Sequence, residues 1–205
     1  NLPFLKNIIY LGKEKIPGMY NWDDMIQMGK AVSGDRLKER LNSLDPDDVI
    51  NMQYTSGTTG FPKGVMLTHS NLIGNALSLA ECMTLTPNDV LCIPVPFFHC
   101  FGCVIGTLCC MVSAATMAPV VSFDPVQVLE TVQASACTGI LGVPTMFIAE
   151  LEEMDKKEYD TSSLRTGVMA GSPCPIEVMK RVVSDLGAFE MTIVYGQTEA
   201  SPGIT

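Results

Sequence analysis

Residues 54–65, YTSGTTGFPKGV, set five hydroxyl-bearing side chains, three glycines and one lysine within twelve positions. A loop this rich in glycine turns backbone N–H groups toward a concave space, and serine and threonine hydroxyls add further donors. Phosphate oxygens are the natural acceptors for such a set, and Lys63 brings the positive charge they need. The spacing is not that of a Walker A loop, which places glycine directly before the lysine and Ser/Thr directly after it. Here Pro62 precedes Lys63 and Gly64 follows it, which disfavours a P-loop kinase or GTPase.

Donors of this kind work only on a rigid scaffold. From about residue 46 onward, apolar runs of four to six residues alternate with amphipathic stretches, the pattern of strands and crossover helices in an α/β layer. Strands are predicted over 49–54, 64–67, 90–93, 114–118, 137–143, 166–171 and 191–196, the main sheet starting with the first. Helices are predicted over 70–83, from the glycine- and cysteine-rich run to 111, from Asp124 and Pro125 onward, over 144–151, and from Pro175 to a stop at Gly187. Upstream, 6–11 reads as a short strand, 21–30 as a helix with Asn21 as N-cap, and 34–43 as a polar surface helix.

Residues 54–65 resemble the phosphate-binding motif of the adenylate-forming acid ligases, the superfamily of acyl-CoA synthetases, luciferases and peptide-synthetase adenylation domains. Two further stretches fit in order and distance. AGSPCP at 170–175 resembles the family's adenine-contacting turn, and YGQTE at 195–199 its next core motif. FFHCFG and MAGSPCP look most like medium- to long-chain fatty acyl-CoA synthetases. The resemblance covers the chain from about Asp48 and implies part of the N-terminal domain of such an enzyme, an α/β layered sheet with flanking helices. Residues 1–45 then read as the tail of a preceding subdomain or a linker, and 46–205 as an ATP/AMP-binding subdomain. The family's C-terminal lid domain, with its lysine, is expected to lie outside.

The resemblance implies a reaction: a carboxylate attacks the α-phosphate of ATP, pyrophosphate leaves, and the acyl group passes to coenzyme A. It also implies roles. Thr55, Ser56, Gly57, Thr58, Thr59 and Gly60 would wrap the β- and γ-phosphates beside Lys63. Gly171, Ser172 and Pro173 would form a turn beside adenine, with Tyr195 stacked on the ring and Gly196 and Gln197 in the same nucleotide-binding motif. Thr198 would contact the α-phosphate or adenylate, and Glu199 would help hold Mg²⁺, a hard cation that prefers carboxylate oxygen. His99 in PFFHCFG would be a gate or polar contact for the acid's carboxylate. Phe101, Gly102, Ile105, Val143, Met146 and Phe147 would line an apolar pocket suited to a hydrocarbon acid.

The residues leave other readings open. His99, Cys100, Cys103, Cys109 and Cys110 include a CxxC pair and could in principle ligate zinc, although they sit in one helix-like run where four ligands converge poorly. Residues 90–123 hold no Asp, Glu, Lys or Arg, a run long enough to span a bilayer, yet Pro94, Pro96, His99 and Pro119 interrupt it. A strand, loop, helix and strand through a protein core is the preferred reading.

Composition narrows the partners. Thirteen basic against twenty-two acidic residues give a net charge of −9, so no global positive field draws nucleic acid or anionic lipid. Eight cysteines in apolar runs read as reduced thiols of an intracellular, cytoplasmic protein. The opening at Asn1 and the close on EASPGIT read as a piece of a longer chain, unable to complete adenylation alone. Two alternatives stand beside the acyl-CoA ligase: an adenylating enzyme with another acceptor, and a non-catalytic or membrane-associated module with a vestigial glycine loop.

Overall fold

The computed structural model describes residues 3–56 and 60–204. The chain divides into two compact units, Asn1–Asp45 and Pro46–Thr205.

In the first unit, β1 (Ile9–Tyr10) pairs in parallel with β2 (Tyr20–Asn21). Helix α1 (Trp22–Gly29) follows at once, because Asn21 caps it in a reciprocal box with Asp24. The Asn21 amide also donates to the carbonyls of Gly12 and Glu14, at 2.7 and 2.9 Å, which ties the preceding loop to the helix start. Helix α2 (Gly34–Asn42) begins where the Ser33 hydroxyl accepts the Arg36 N–H.

The second unit opens with an antiparallel pair, β3 (Val49–Thr55) and β4 (Lys63–Thr68). The main sheet does not begin here, for among the described residues these strands form their own two-stranded sheet. A connection this short joins antiparallel neighbours, whereas a parallel partner needs a crossover of about a dozen residues or more. Helix α3 (His69–Cys82) starts one residue before the expected position because Thr68 and Asn71 exchange side-chain-to-backbone bonds at 3.2 Å in a capping box.

The main sheet has five parallel strands in the order β6-β5-β7-β8-β9, namely β5 (Val90–Ile93), β6 (Thr116–Pro119), β7 (Gly139–Gly142), β8 (Thr166–Ala170) and β9 (Glu190–Val194). Between β5 and β6 lies a π-helical segment, Phe101–Leu108, that continues as α4 (Cys109–Ser113). The sequence pattern predicts one ordinary helix there. Small residues let the wider turn pack directly on its neighbours: a Cβ on Gly102 would stand 2.3 Å from the Pro96 carbonyl oxygen, and one on Gly106 2.9 Å from Ile93. Ala114 then adopts a left-handed conformation, φ 56°, that ends α4 and delays β6 to Thr116.

Helices α5 (Pro125–Ala134), α6 (Pro144–Met154) and α7 (Ile176–Ser184) complete the crossovers. Each has proline in its first turn or at its cap, where the missing N–H has no intrahelical partner to lose. The Asp124 carboxylate accepts the Gln127 N–H at 3.0 Å to cap α5.

Alternate side chains of the buried strands feed two cores. Leu91, Ile93, Leu141 and Val168 face one cluster with α3, the π segment and α4, whereas Cys92, Ile140 and Met169 face the other with α5, α6 and α7. The second unit is thus a three-layer α/β/α stack. No helix among the described residues is long and apolar enough to cross a membrane, and all eight cysteines are free thiols.

Candidate functional site

With this strand order the chain leaves β5 toward β6 on one side and resumes at β7 on the other. Loops diverge at the carboxyl ends of such strands and open a crevice, the usual ligand position in folds of this kind. The loops after β5, β8 and β9 meet at that rim. They line a cleft of about 290 Å³ together with Thr55 of the hairpin. A second groove of about 360 Å³ shares Gly171, Val194 and Gly196 with it and runs along Ser172, Pro173, Cys174, Ile193 and Tyr195.

The local reasons are specific. At the end of β8 the chain must leave the sheet sharply, and Gly171 does so at φ +89°, where a Cβ would press against Val143 at 3.0 Å. The His99 Nδ1 accepts the Phe101 N–H at 3.0 Å, capping the start of the π segment. With Nδ1 engaged as acceptor, the neutral ring carries its proton on Nε2, leaving a donor on an exposed side chain. The buried Cys100 sulfur lies 3.7 Å from His99 Nδ1 and 3.7 Å from Thr198 Oγ1. Burial pushes the Cys100 thiol up, against the opposing pull of the Thr198 contact, so it is a neutral packing group. Thr198 opens a 3₁₀ turn, Thr198–Ala200, that presents Glu199 at the cleft edge.

Of the residues singled out in the sequence, Thr55, His99, Phe101, Ile105, Gly171, Gly196, Gln197, Thr198 and Glu199 share the main cleft. Ser172, Pro173 and Tyr195 line the adjoining groove, where the Tyr195 side chain is exposed. Lys63 pairs with Thr55 across the hairpin, at the base of the glycine loop. Ser56 and Gly60 are exposed at either end of that loop, while Gly57, Thr58 and Thr59 lie outside the described residues. Gly102 is buried behind the lining. Val143 and Met146 pack against the first core, and Phe147 is wholly buried in the second, outside the cleft lining.

The cleft also takes in Cys100, Ala170, Val194 and Pro202, to which the sequence reading gives no role in a pocket. Each lies inside or beside a motif, so the signal was adjacent, but a place at the cleft floor depends on the fold. Among the described residues no group of three or more His, Cys, Asp or Glu side chains could hold a metal. Desolvation pushes the buried Cys109 and Cys110 thiols up to about 12 and about 11, so these two cysteines of the zinc alternative serve as core residues.

The family model described as AMP-binding enzyme matches residues 8–205. The chain belongs to the AMP-binding enzyme family. Among relatives of this AMP-binding chain, Bacillus subtilis YngI, provisionally named an acyl-CoA synthetase, is 63% identical over 99% of this chain and 37% of its own length. The mitochondrial medium-chain acyl-CoA ligase ACSF2 of Danio rerio is 38% identical over 98% of this chain and 34% of its own. Among solved structures, ATP-bound MatB from Rhodopseudomonas palustris superimposes with a TM-score of 0.68 at 29% identity, covering 78% of this chain and 31% of MatB. The chain spans about a third of the length of the curated relatives it matches.

Proposed function

We propose that this chain is the nucleotide- and acid-binding part of an acyl-CoA ligase, which activates a carboxylic acid of fatty character with ATP and passes the acyl group to coenzyme A. The observation that carries the reading is the meeting of Thr55, His99, Thr198 and Glu199 in one cleft at the carboxyl rim of a parallel sheet. The relatives named acyl-CoA synthetase or ligase support the reaction class and the acceptor. An apolar floor of Phe101, Ile105 and Val194 supports a hydrocarbon acid.

In this reading residues 46–205 are the ATP/AMP-binding subdomain and 1–45 belong to a preceding one, with the lid domain elsewhere in the parent protein. Lys63 and the loop of Thr55, Ser56, Gly57, Thr58, Thr59 and Gly60 hold the β- and γ-phosphates, and the groove of Gly171, Ser172, Pro173 and Tyr195 takes adenine. Gly196, shared by groove and cleft, and Gln197, in the cleft, complete the nucleotide site. His99 offers its Nε2–H to the acid's carboxylate. Thr198 donates to the α-phosphate as negative charge shifts there. The donor set at Glu199 fits Mg²⁺, which takes one or two carboxylates plus substrate phosphates rather than an all-protein cage. When bound, that ion screens the phosphate charge. Eight free thiols and a nucleotide substrate support an intracellular setting.

The test is pyrophosphate exchange by the full-length protein that contains this chain, across a panel of fatty, aromatic and amino acids, with T198A and E199Q alongside. Exchange driven best by fatty acids and reduced about 100-fold in either variant is expected. Exchange with no acid of the panel, or variants as fast as the parent, would overturn the reading.

A further inference from the structure

A three-residue turn has little of its own to fix where it points. Thr198–Ala200 is closed on itself by Gln197 N–H donating to the Pro202 carbonyl at 2.9 Å, by Ile204 N–H donating to the Tyr195 carbonyl at 2.9 Å, and by an antiparallel bridge between Gly196 and Gly203. Those bonds set the shape of the loop. They do not tie it to the body of the domain.

That tie comes from Asn75, in the middle of α3. Its Nδ2 donates to the Gly203 carbonyl at 2.8 Å and reaches the Ala200 carbonyl at 3.5 Å, and its Oδ1 accepts the Gly203 N–H at 3.0 Å. One side-chain amide thus grips both backbone groups of a single residue 128 positions away, as a neighbouring strand would. The two partners also fix the amide's orientation, since the reverse would set donor against donor. Its helix is immobilised by Leu72, Ala76 and Leu79 in the first core, and Leu79 stands where a Cβ on Gly203 would fall, at 3.1 Å. Asparagine is the fitting residue: aspartate keeps the acceptor and loses the donor, and leucine has neither.

We propose that Asn75 is a positioning residue for the nucleotide turn, holding Gly203 so that Thr198 and Glu199 point into the cleft. This rests on the proposed function of that turn. Asn75 lies outside the cleft lining.

The experiment uses the full-length protein with N75D, N75L, T198A and E199Q. Expected for N75L is a rise of about 10-fold or more in the KM for Mg·ATP, the range found when a residue supporting a ligand is lost. The KM for the acid stays within about twofold, and N75D falls between N75L and the parent. In the nucleotide-free protein, amide hydrogen exchange at residues 196–204 rises in the same order while exchange in β5, β7 and β8 is unchanged. Equal losses in every kinetic parameter with a general fall in melting temperature would assign Asn75 to folding alone and overturn the proposal. So would a normal KM for Mg·ATP in N75L while T198A and E199Q are impaired. If T198A and E199Q are also unimpaired, the reading of the turn itself fails and the proposal with it.

Discussion

The Cys100 sulfur lies 3.7 Å from the Thr198 hydroxyl, joining the loop after β5 to the turn after β9 across 98 residues. The contact sets the width of the cleft floor, because both backbones are anchored, one by the π segment and the other by Gly203. A longer side chain at position 100 must then push Thr198 or fill the cleft. Cys100→Met is expected to lower kcat/KM for pyrophosphate exchange by about 10-fold or more, since small displacements of a reacting group cost this much. Cys100→Ser, which keeps the volume and the polar contact, should stay within a few-fold.

Lys63 stands exposed at the foot of the glycine loop, opposite Thr55. An exposed side chain of this kind supports little core, so Lys63→Ala should change stability by no more than about 0.5 kcal/mol. Adenylation in the full-length protein should nevertheless slow by about 100-fold. A large fall in melting temperature with normal turnover would reverse the assignment.

The opposite rim of the sheet carries an ionic lock. Arg165 reaches Asp89 at 2.8 Å and Glu190 at 2.6 Å, and Thr86 and Thr138 also donate to Asp89. Burial alone would push the Asp89 carboxyl up, but the bonds from Thr138, Arg165 and Thr86 outweigh it and hold the group down at about 2. Its stabilising effect is complete above the ordinary carboxylate value, near 3.8, and is lost as pH falls through about 2. Asp89→Asn should therefore flatten the stability curve between pH 4 and pH 2, and Arg165→Met, which strands a buried carboxylate, should cost about 3 kcal/mol at pH 7. Urea melts across pH check both.

Glu150 is fully buried on α6, and neither carboxyl oxygen has a hydrogen-bond partner among the described residues. Desolvation pushes its carboxyl up to about 8. Between the ordinary value of 4.5 and about 8 the folded protein keeps a proton that the unfolded chain has released, so stability falls as pH rises through that window. Glu150→Met fills the same space without the charge. Its melting temperature should exceed the parent's by at least about 5 °C at pH 9, with a smaller gain at pH 5.

How far the sequence reveals this depends on how local each cause is. Asp124 with Pro125, Pro144, and Asn21 with Asp24 mark helix starts because their bonds close within four residues. Strands β5, β7 and β8 show as short apolar runs because both faces are covered. The separation of β3–β4 from the main sheet does not show, since strand pairing is decided by partners far along the chain. The π segment does not show either, since its cause is the contact of Gly102 and Gly106 with Pro96 and Ile93. In the cleft, His99, Thr198 and Glu199 stand within recognisable motifs, whereas Asn75 and Cys100 acquire their places only through bonds spanning 128 and 98 residues. Phe147 shares a buried helical stripe with Pro144, Glu150 and Leu151, and that register, invisible in a count of apolar residues, turns it toward the back core.

Because the loops after β5, β8 and β9 that frame the cleft leave one rim of the parallel sheet and the Arg165 lock closes the other, the two ends can be altered separately. Acid tolerance could be rebuilt around Asp89 with the ligand chemistry left intact, and new substrates accommodated above β5 and β9 with the frame beneath undisturbed.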